Sequence, residues 1–297
     1  MSNINTARST VVETTFQGVN VTDSLRPFLK SCSYSESRSE ESDDFQILLH
    51  DRDDLWVKSW LIDVINAVER SKRTQKNTGF MINGALVQKN WHSDGKDRML
   101  SFGQFQLDEV VAKAPPREIT IKGTALPYGI GVQQANKTRK FESVRLNNIA
   151  ERISKESGMS VIFESAINPL YTRIDQNNIS DIVFLQQLCN SAGVSLKVTN
   201  NIIVMIDNAA FVAKPAVFDI NRTDKAVLGY SVRSASTDDM HEMTVDIKHE
   251  GNPVLLSCLT VNLHGWGRWS GKYVIDSTQH SVSGNGGYVT DIKLERT

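Results

Sequence analysis

The 297-residue sequence contains few cysteines and no long apolar segment, and both features restrict the class of protein. Its three cysteines, Cys32, Cys189 and Cys258, lie far apart, so neither a disulfide framework nor a zinc motif is indicated. We expect Cys189, next to Leu188 on a predicted helix, to be a small buried hydrophobe. No run of 18 apolar residues occurs, and residues 1–15 lack the apolar segment of a signal peptide. We therefore expect a soluble chain without stable membrane insertion, assembled in a reducing compartment.

An excess of one charge sign is also missing. The sequence has 33 Lys and Arg against 34 Asp and Glu, a net charge of -1 at pH 7. A general nucleic-acid binder is normally basic over a whole domain, so we expect no recognition of nucleic-acid sequence. The alternative of a local basic patch around Lys137, Arg139 and Lys140 stays open. The hydrophobic content of 40% is sufficient for real cores, and the length predicts about two domains.

The most informative segment, residues 142–206, has the pattern of a small α/β module. Apolar residues at helical spacing over Leu146–Ile153 predict a first helix, which Gly158 ends. A short strand and a polar loop follow. A second helix begins at the N-cap Ser180 and ends at Gly193. Two short strands separated by a turn complete the segment. Nothing in the module has the arrangement of a catalytic group, which favours a scaffold over an enzyme.

On both sides of this module the sequence predicts short strands separated by turn residues, as in a small barrel or sandwich. The predicted fold class is mainly β with an α/β insert: two tube-like β-barrel domains and a helix-strand-helix-strand module. The predicted division is a first barrel at residues 1–123, the start of a second barrel at 124–141, the inserted module at 142–207 and the rest of the second barrel at 208–297.

Near the end of the chain, the alternation predicts an antiparallel hairpin that closes the second barrel. Its strands are Gly271–Ile275 and Tyr288–Leu294, with a glycine-rich turn between them. Because side chains alternate across a strand, Tyr273 and Ile275 should share one face and Val274 should lie on the other.

Several residues are candidates for carbohydrate chemistry. Glu164, Asp175 and Asp181 have the side chains needed for acid–base work on a sugar. Each also has a structural explanation, since they are predicted to end a strand, lie in a loop and occupy the first turn of a helix. Trp266 and Trp269, beside glycines, are compatible with a sugar platform, with an interface anchor or with corner packing. No G-x-S-x-G nucleophile motif occurs.

Two further groups are candidates for metal binding. Asp51, Asp53 and Asp54 are clustered carboxylates, but the glycine and glutamate of a calcium loop are missing. His264 and His280 are a possible ligand pair across a hairpin, without an evident third ligand. A solvated turn and two ordinary polar histidines explain these residues equally well. We predict no catalytic, cofactor-binding or metal-ligating residues and no cofactor.

Five groups of short motifs follow one another along nearly the whole chain. They are Leu25–Leu29 with Ser33-Tyr34, Ser42–Ile47 with Asp51-Arg52-Asp53 and Trp56, Gly103–Glu109, Tyr171–Asn178 with Ser180-Asp181 and Phe184–Cys189, and Gly267, Gly271–Ile275, His280 and Gly287–Thr290. Each motif is weak alone, and their order and spacing make the match specific. Taken in order, they resemble the phage late control protein D family, the hub of contractile-tail baseplates.

The resemblance implies a homotrimeric ring between the tail tube and the central spike. Each subunit would give two tube-like barrels, so that three subunits imitate the sixfold symmetry of the tube, and the α/β module would decorate the ring. The implied partners are other copies of the chain, the tail tube protein, the central spike protein and the baseplate wedge proteins. The implied location is the virion tail baseplate, or an equivalent injection particle, assembled in the bacterial cytoplasm. The sequence departs from the family at Leu61–Thr78, which is longer and more charged, and at Arg145, where a helix-capping Thr is frequent.

Two alternatives stay open. One is a tail-associated cell-wall hydrolase or carbohydrate-binding protein. A chain filled by two barrels and an insert leaves no room for a separate lysozyme-like module, so we expect no enzymatic activity. The other is a hub from a phage-derived weapon, such as a tailocin or a secretion apparatus, which the sequence does not distinguish from a phage hub.

Overall fold

The structure is a computed structural model dominated by β-strands. A 13-stranded sheet forms most of it, and a three-stranded and a two-stranded sheet belong to a smaller α/β part. This confirms the predicted class, mainly β with an α/β insert. The expectations for Asp53, Trp56 and the segment Leu61–Thr78 fall outside the described residues. The structure describes residues 8–38, 43–52, 54, 81–91, 96–125, 136–199, 202–237, 240–285 and 287–296.

The first β unit curves around a core rich in aromatic side chains. From Cys32 to Glu36 every second residue is buried, so Cys32, Tyr34 and Glu36 face inward. Phe45 and Phe105 pack with ring centroids 5.4 Å apart in this core. The elements are β1 (Ser9–Phe16), β2 (Val19–Asn20), α1 (Thr22–Leu25), a 3₁₀ turn (Arg26–Phe28), β3 (Leu29–Ser37), β4 (Asp44–His50), β5 (Met81–Lys89), β6 (Arg98–Lys113) and β7 (Glu118–Ala125).

The α/β module has a separate core beneath two helices. The predicted helix ends are confirmed: Gly158 and Gly193 have φ of 71° and 70°, and the Ser180 side chain accepts a hydrogen bond from the Val183 N–H. The predicted polar loop is instead mostly a strand. The elements are β8 (Lys137–Arg145), α2 (Leu146–Ser157), β9 (Ser160–Glu164), β10 (Leu170–Ile179), α3 (Asp181–Ala192), β11 (Val194–Thr199) and β12 (Ile202–Asp207).

At Arg145, where the resembling family often has a capping Thr, helix α2 is capped from outside. The Arg145 side chain makes no cap hydrogen bond. The Asn168 Oδ1 instead accepts from the Asn147 N–H at 3.1 Å, and the Pro169 carbonyl accepts from the Leu146 N–H at 3.2 Å. Arg145 donates to the Asn168 carbonyl at 2.9 Å. The loop before β10 therefore satisfies N–H groups that the helix leaves without an internal partner.

The second β unit ends in the predicted hairpin. The last two strands pair antiparallel, and Tyr273 and Ile275 lie in the core while Val274 packs on the other face beside Phe211. The elements are α4 (Asn208–Ala213), β13 (Phe218–Asn221), β14 (Val227–Thr237), β15 (Met240–Glu250), β16 (Thr260–His264), a 3₁₀ turn (Gly267–Trp269), β17 (Gly271–Ser283) and β18 (Tyr288–Arg296).

One strand, β17, joins the two β units into a single sheet. Its first residues, 271–274, pair with β16, and residues 277–283 pair with β3. The sheet runs β14-β15-β18-β17-β3-β4-β7-β6-β5-β1-β2, with β16 on β17 and β13 on β16. At one boundary the pairing differs from the sequence expectation. Residues 137–141, expected at the start of the second barrel, pair with β10 of the α/β module. The division of the chain into domains otherwise stays a prediction.

Candidate functional site

The three candidate carboxylates lie on separate elements, and each has a basic partner. Glu164, at the end of β9 as predicted, bonds to the Lys214 ammonium at 2.5 Å. Asp175 lies within β10, so the prediction of a loop is wrong there, and it pairs with Arg173 at 3.2 Å. Asp181 is in the first turn of α3, as predicted. The predicted positions of Glu164 and Asp181 are therefore confirmed, and ion pairs that the sequence did not indicate account for all three carboxylates.

Asp181 is the centre of a network that the sequence did not reveal. Its carboxylate is fully buried and accepts from the Lys137 ammonium at 2.6 Å and the Arg139 guanidinium at 2.5 Å. Arg139 also bonds to Glu156 at 2.6 Å. Although partial burial opposes it, hydrogen bonds from the surrounding cations lower the pKa of Glu156 to about 2. Two residues of the suspected basic patch are therefore neutralised, and Lys140 is exposed.

The two candidate histidines have different environments. His264 is exposed and its Nε2 lies 3.1 Å from the Asp219 carboxylate. His280 is fully buried, with Nε2 at 3.1 Å from the Leu255 carbonyl and Nδ1 at 2.7 Å from the Tyr288 hydroxyl. Burial lowers the pKa of His280 to about 4. The side chains of the two residues therefore do not share a site.

The described part of the chain contains no group of three or more potential metal ligands. Asp51 is buried, Asp54 bonds to Arg117 at 2.7 Å, and Asp53 lies outside the described residues. No helix among the described residues has the length and apolarity needed to cross a membrane.

The tryptophan pair is part of the packing at a corner of the second β unit. Trp266 is buried, donates its indole N–H to the Ile220 carbonyl at 3.3 Å and meets the Tyr230 ring edge-on at 4.7 Å. Trp269 packs against the same core, with the Arg268 guanidinium 4.4 Å from its ring centroid. This geometry agrees with the corner-packing alternative and not with an exposed sugar platform.

A buried cluster of charged groups lies where the module meets both β units. Lys197 of β11 places its ammonium 3.3 Å from the Glu36 carboxylate of β3 and against the Ser257 hydroxyl. Glu36 also accepts from the Tyr34 hydroxyl at 3.0 Å and from the Ser257 N–H. The Lys197 and Glu36 side chains are only 11% and 7% exposed. We call Tyr34, Glu36, Asp43, Lys197 and Ser257 the junction cluster.

Charge and burial oppose one another in the junction cluster. Burial lowers the pKa of Lys197, but the negative charges of Glu36 and Asp43 exceed this effect and raise it overall. Burial raises the pKa of Asp43 to about 6, against the attraction of Lys197, and the Glu36 charge adds to the rise. Lys197 therefore carries its charge at neutral pH. The sequence did not indicate that Lys197 is buried, because a lysine between Leu196 and Val198 is typical of the solvent side of a strand.

A polar groove of about 610 Å³ crosses the sheet where the two β units join. Hydroxyl, amide and charged side chains of both signs line it, and Tyr230, Ile247 and Ile292 add apolar surface. Examples of the polar side chains are Ser35, Lys248, Gln279, Asp291 and Lys293. Such a mixed lining favours a hydrated surface over a pocket for one charged ligand.

No protein-family model and no curated protein matches this chain. Solved structures do match it along almost its whole length. A tail protein from Neisseria meningitidis MC58 superposes with a TM-score of 0.67 at 11% identity, covering 97% of each chain. The 43 kDa tail protein of prophage MuSo2 from Shewanella oneidensis gives a TM-score of 0.65 at 12% identity, also covering 97% of each chain.

A third match comes from a secretion apparatus. The E. coli c3393 protein is described as a component of the type VI secretion system with structural similarity to the T4 bacteriophage tail proteins gp27 and gp5. It gives a TM-score of 0.61 at 12% identity, covering 91% of this chain and 74% of that one. The fold is therefore shared with these two tail proteins, one of them from a prophage, and with this secretion component, which confirms the resemblance at the level of fold.

Proposed function

We propose that this chain is a structural hub protein of a phage tail baseplate or of a related injection particle, and that three copies form a ring. The observation that carries the proposal is the match to two phage tail proteins over 97% of the chain. Because the match covers both β units and the α/β module, the similarity extends beyond a single common subdomain.

The architecture supports a trimer in particular. Each subunit contains two β units with their own cores, joined edge to edge through the pairing of β17 with β3. A ring of three such subunits presents six β units around its axis, the number needed to continue a sixfold tube. Closed rings need heterologous contacts, in which different surfaces of neighbouring subunits meet.

We assign the polar groove to a hydrated face of this ring. Its mixed charges suit a surface along which other molecules pass without binding tightly. The ring would contact the tail tube protein on one side and the central spike protein on the other, and baseplate wedge proteins around it. Assembly would take place in the bacterial cytoplasm, and the finished ring would belong to the tail baseplate.

We further propose that the chain has no enzymatic role. Glu164, Asp175 and Asp181 are each held in ion pairs on separate elements. Peptidoglycan incubated with the purified chain should release no fragments. Release by the wild type that disappears in Glu164→Gln would support the hydrolase alternative instead.

The oligomeric mass tests the hub proposal. The chain mass is 33.2 kDa, so light scattering on a trimer should give about three times that value, and class averages should show threefold symmetry. The measurement is made over a dilution series, alone and after co-expression with the candidate spike protein, because a hub ring can require its partner to close. A stable dimer under both conditions would contradict the proposal.

A further inference from the structure

The α/β module is packed as an independent body. Its core is formed by its own two helices and strands, and includes Ile149, Leu185 and Met205. The large sheet does not extend into the module, whose strands form separate two- and three-stranded sheets. The relative position of the module therefore depends on side-chain contacts and on the connecting chain, not on a shared strand ladder.

One attachment is helix α4, which follows directly after β12. Phe211 of α4 is fully buried with Ile206 and Val274, so it ties the last strand of the module to β17. The Lys272 ammonium of β17 donates to the Val212 carbonyl at 2.6 Å and to the Lys214 carbonyl. This end of the module is anchored by apolar burial and by hydrogen bonds to the backbone.

The second attachment is the junction cluster, and it is of a different kind. Lys197 is the contribution of the module, Glu36 comes from the first β unit and Ser257 from the second. One ammonium group thus bridges three parts of the chain. An ion pair loses solvation when it is buried and regains that solvation when it separates, so its net contribution to holding two bodies together is small.

The surroundings of Lys197 are also incompletely packed. A cavity of about 250 Å³ lies beside it, with walls from all three parts of the chain. Val204 belongs to the module, Leu100 and Phe102 to the first unit, and Cys258 to the second. This cavity is partly open to solvent, so the three parts do not pack fully against one another here, and little dispersion attraction opposes separation at this end.

We propose that Lys197 is a latch: the α/β module pivots as a rigid body about α4, and the closed position depends on Lys197 compensating the buried charge of Glu36. Opening moves Lys197 and Glu36 into water and widens the cavity. The device requires no partner and does not depend on the hub proposal. In an assembled particle it would let the module change its position while the joined sheet stays intact.

Thiol labelling of Cys258 tests the latch, because this side chain lines the cavity that opens. Cys32 and Cys189 are buried in separate cores. The variant Lys197→Met keeps most of the side-chain stem and leaves Glu36 buried without its cation, so the module should open and Cys258 should react at least about tenfold faster. If Lys197→Met removed the lysine charge without opening the module, Cys258 would label more slowly, because Lys197 favours the thiolate of Cys258. Faster labelling therefore indicates opening.

A rescue separates a latch from simple loss of packing. In the double variant Lys197→Met/Glu36→Gln no unpaired charge remains, so the module should close and the labelling rate should return toward that of the wild type. Lys122→Met removes an exposed ion pair with Glu109 elsewhere in the first unit and should leave the rate unchanged. The variant Cys258→Ala lacks this thiol, so comparison with it shows which part of the labelling reaction comes from Cys258.

Two results would overturn the latch. One is a folded Lys197→Met variant that labels at the wild-type rate, and the other is faster labelling that Glu36→Gln does not reverse. If Lys197→Met does not fold, Glu36→Gln decides instead. It leaves the buried Lys197 ammonium without its ion-pair partner, so Cys258 should label faster than in the wild type, and a folded Glu36→Gln variant that labels at the wild-type rate would contradict the proposal.

Discussion

Buried His280 should make the folded protein sensitive to acid. The Leu255 carbonyl can only accept a hydrogen bond, so Nε2 of His280 carries the proton and Nδ1 accepts from the Tyr288 hydroxyl. A second proton would have to enter at Nδ1 and break that arrangement inside the core. Burial lowers the pKa of His280 to about 4, although the charge of Glu36 partly opposes this.

The magnitude follows from the two states of the histidine. Its pKa is about 4 in the folded chain and about 6.5 when unfolded, so the unfolded state binds more protons between these values. Stability from neutral His280 is therefore complete above about pH 6.5 and is lost as the pH falls toward 4. The loss should be about 2 kcal/mol at about pH 5 and about 3 kcal/mol over the whole window.

Asp43 should act in the opposite direction. Its pKa is raised from 3.8 to about 6 in the folded chain, so the folded state binds more protons and gains stability as the pH falls through 6. The gain should be about 1.4 kcal/mol at about pH 5, which hides part of the effect of His280 in the wild type. Variants of the two residues separate the contributions.

Denaturant unfolding at about pH 7.5 and about pH 5 provides the assay. Between these conditions His280→Gln should lose about 2 kcal/mol less stability than the wild type, and Asp43→Asn about 1.4 kcal/mol more. Contributions from the other ionisable groups cancel in each comparison. If His280→Gln loses as much stability as the wild type on acidification, the ring is not held neutral by burial and the reasoning fails.

Three further predictions concern packing. Asp181→Asn should lower the free energy of unfolding by about 2 kcal/mol, measured by urea melts, because Lys137 and Arg139 lose their buried partner and keep only the partly exposed Glu156. A loss under about 1 kcal/mol would reduce the role of Asp181 to that of a helix dipole. Gly251→Ala would place Cβ 2.1 Å from the Tyr288 ring and should cost about 3 kcal/mol in thermal melts. Gly229→Ala, whose Cβ would meet its nearest neighbour at 4.0 Å, is the matched control, and equal losses in the two variants would contradict the clash. Truncation after Gly284 removes β18 from between β15 and β17, so the product should aggregate; a soluble, cooperatively melting product would contradict this.

Local features of the fold were predictable because they depend on neighbouring residues. The helix ends at Gly158 and Gly193 and the N-cap Ser180 follow from backbone chemistry within one helical turn. The hairpin of β17 and β18 follows from alternation on two adjacent strands. Strand β10 was missed because its pairing with β8 leaves many polar side chains exposed, and a polar strand lacks the apolar alternation that marks a half-buried one.

The important polar contacts were missed because they join residues far apart in the chain. Asp181 and Lys137 are 44 residues apart, and Lys197 and Glu36 are 161 apart. Neither the periodicity nor the local composition specifies such a partner. The expectation that Asp181 serves the first turn of a helix considers α3 alone and omits the cations of β8, which the fold brings to the same point.

The structure connects its parts with different degrees of rigidity. The pairing of β17 with β3 is a ladder of seven residue pairs, so displacing one β unit against the other would break several backbone hydrogen bonds at once. Among the described residues the module has no ladder with either unit, and one face of its attachment consists of a solvatable ion cluster beside a cavity. A ring made from the joined sheet would therefore keep its shape while the module responds separately. If Lys197→Met opens the module without changing the oligomeric mass, the two levels of rigidity are independent, and if the ring also dissociates, the module is part of the assembly contact.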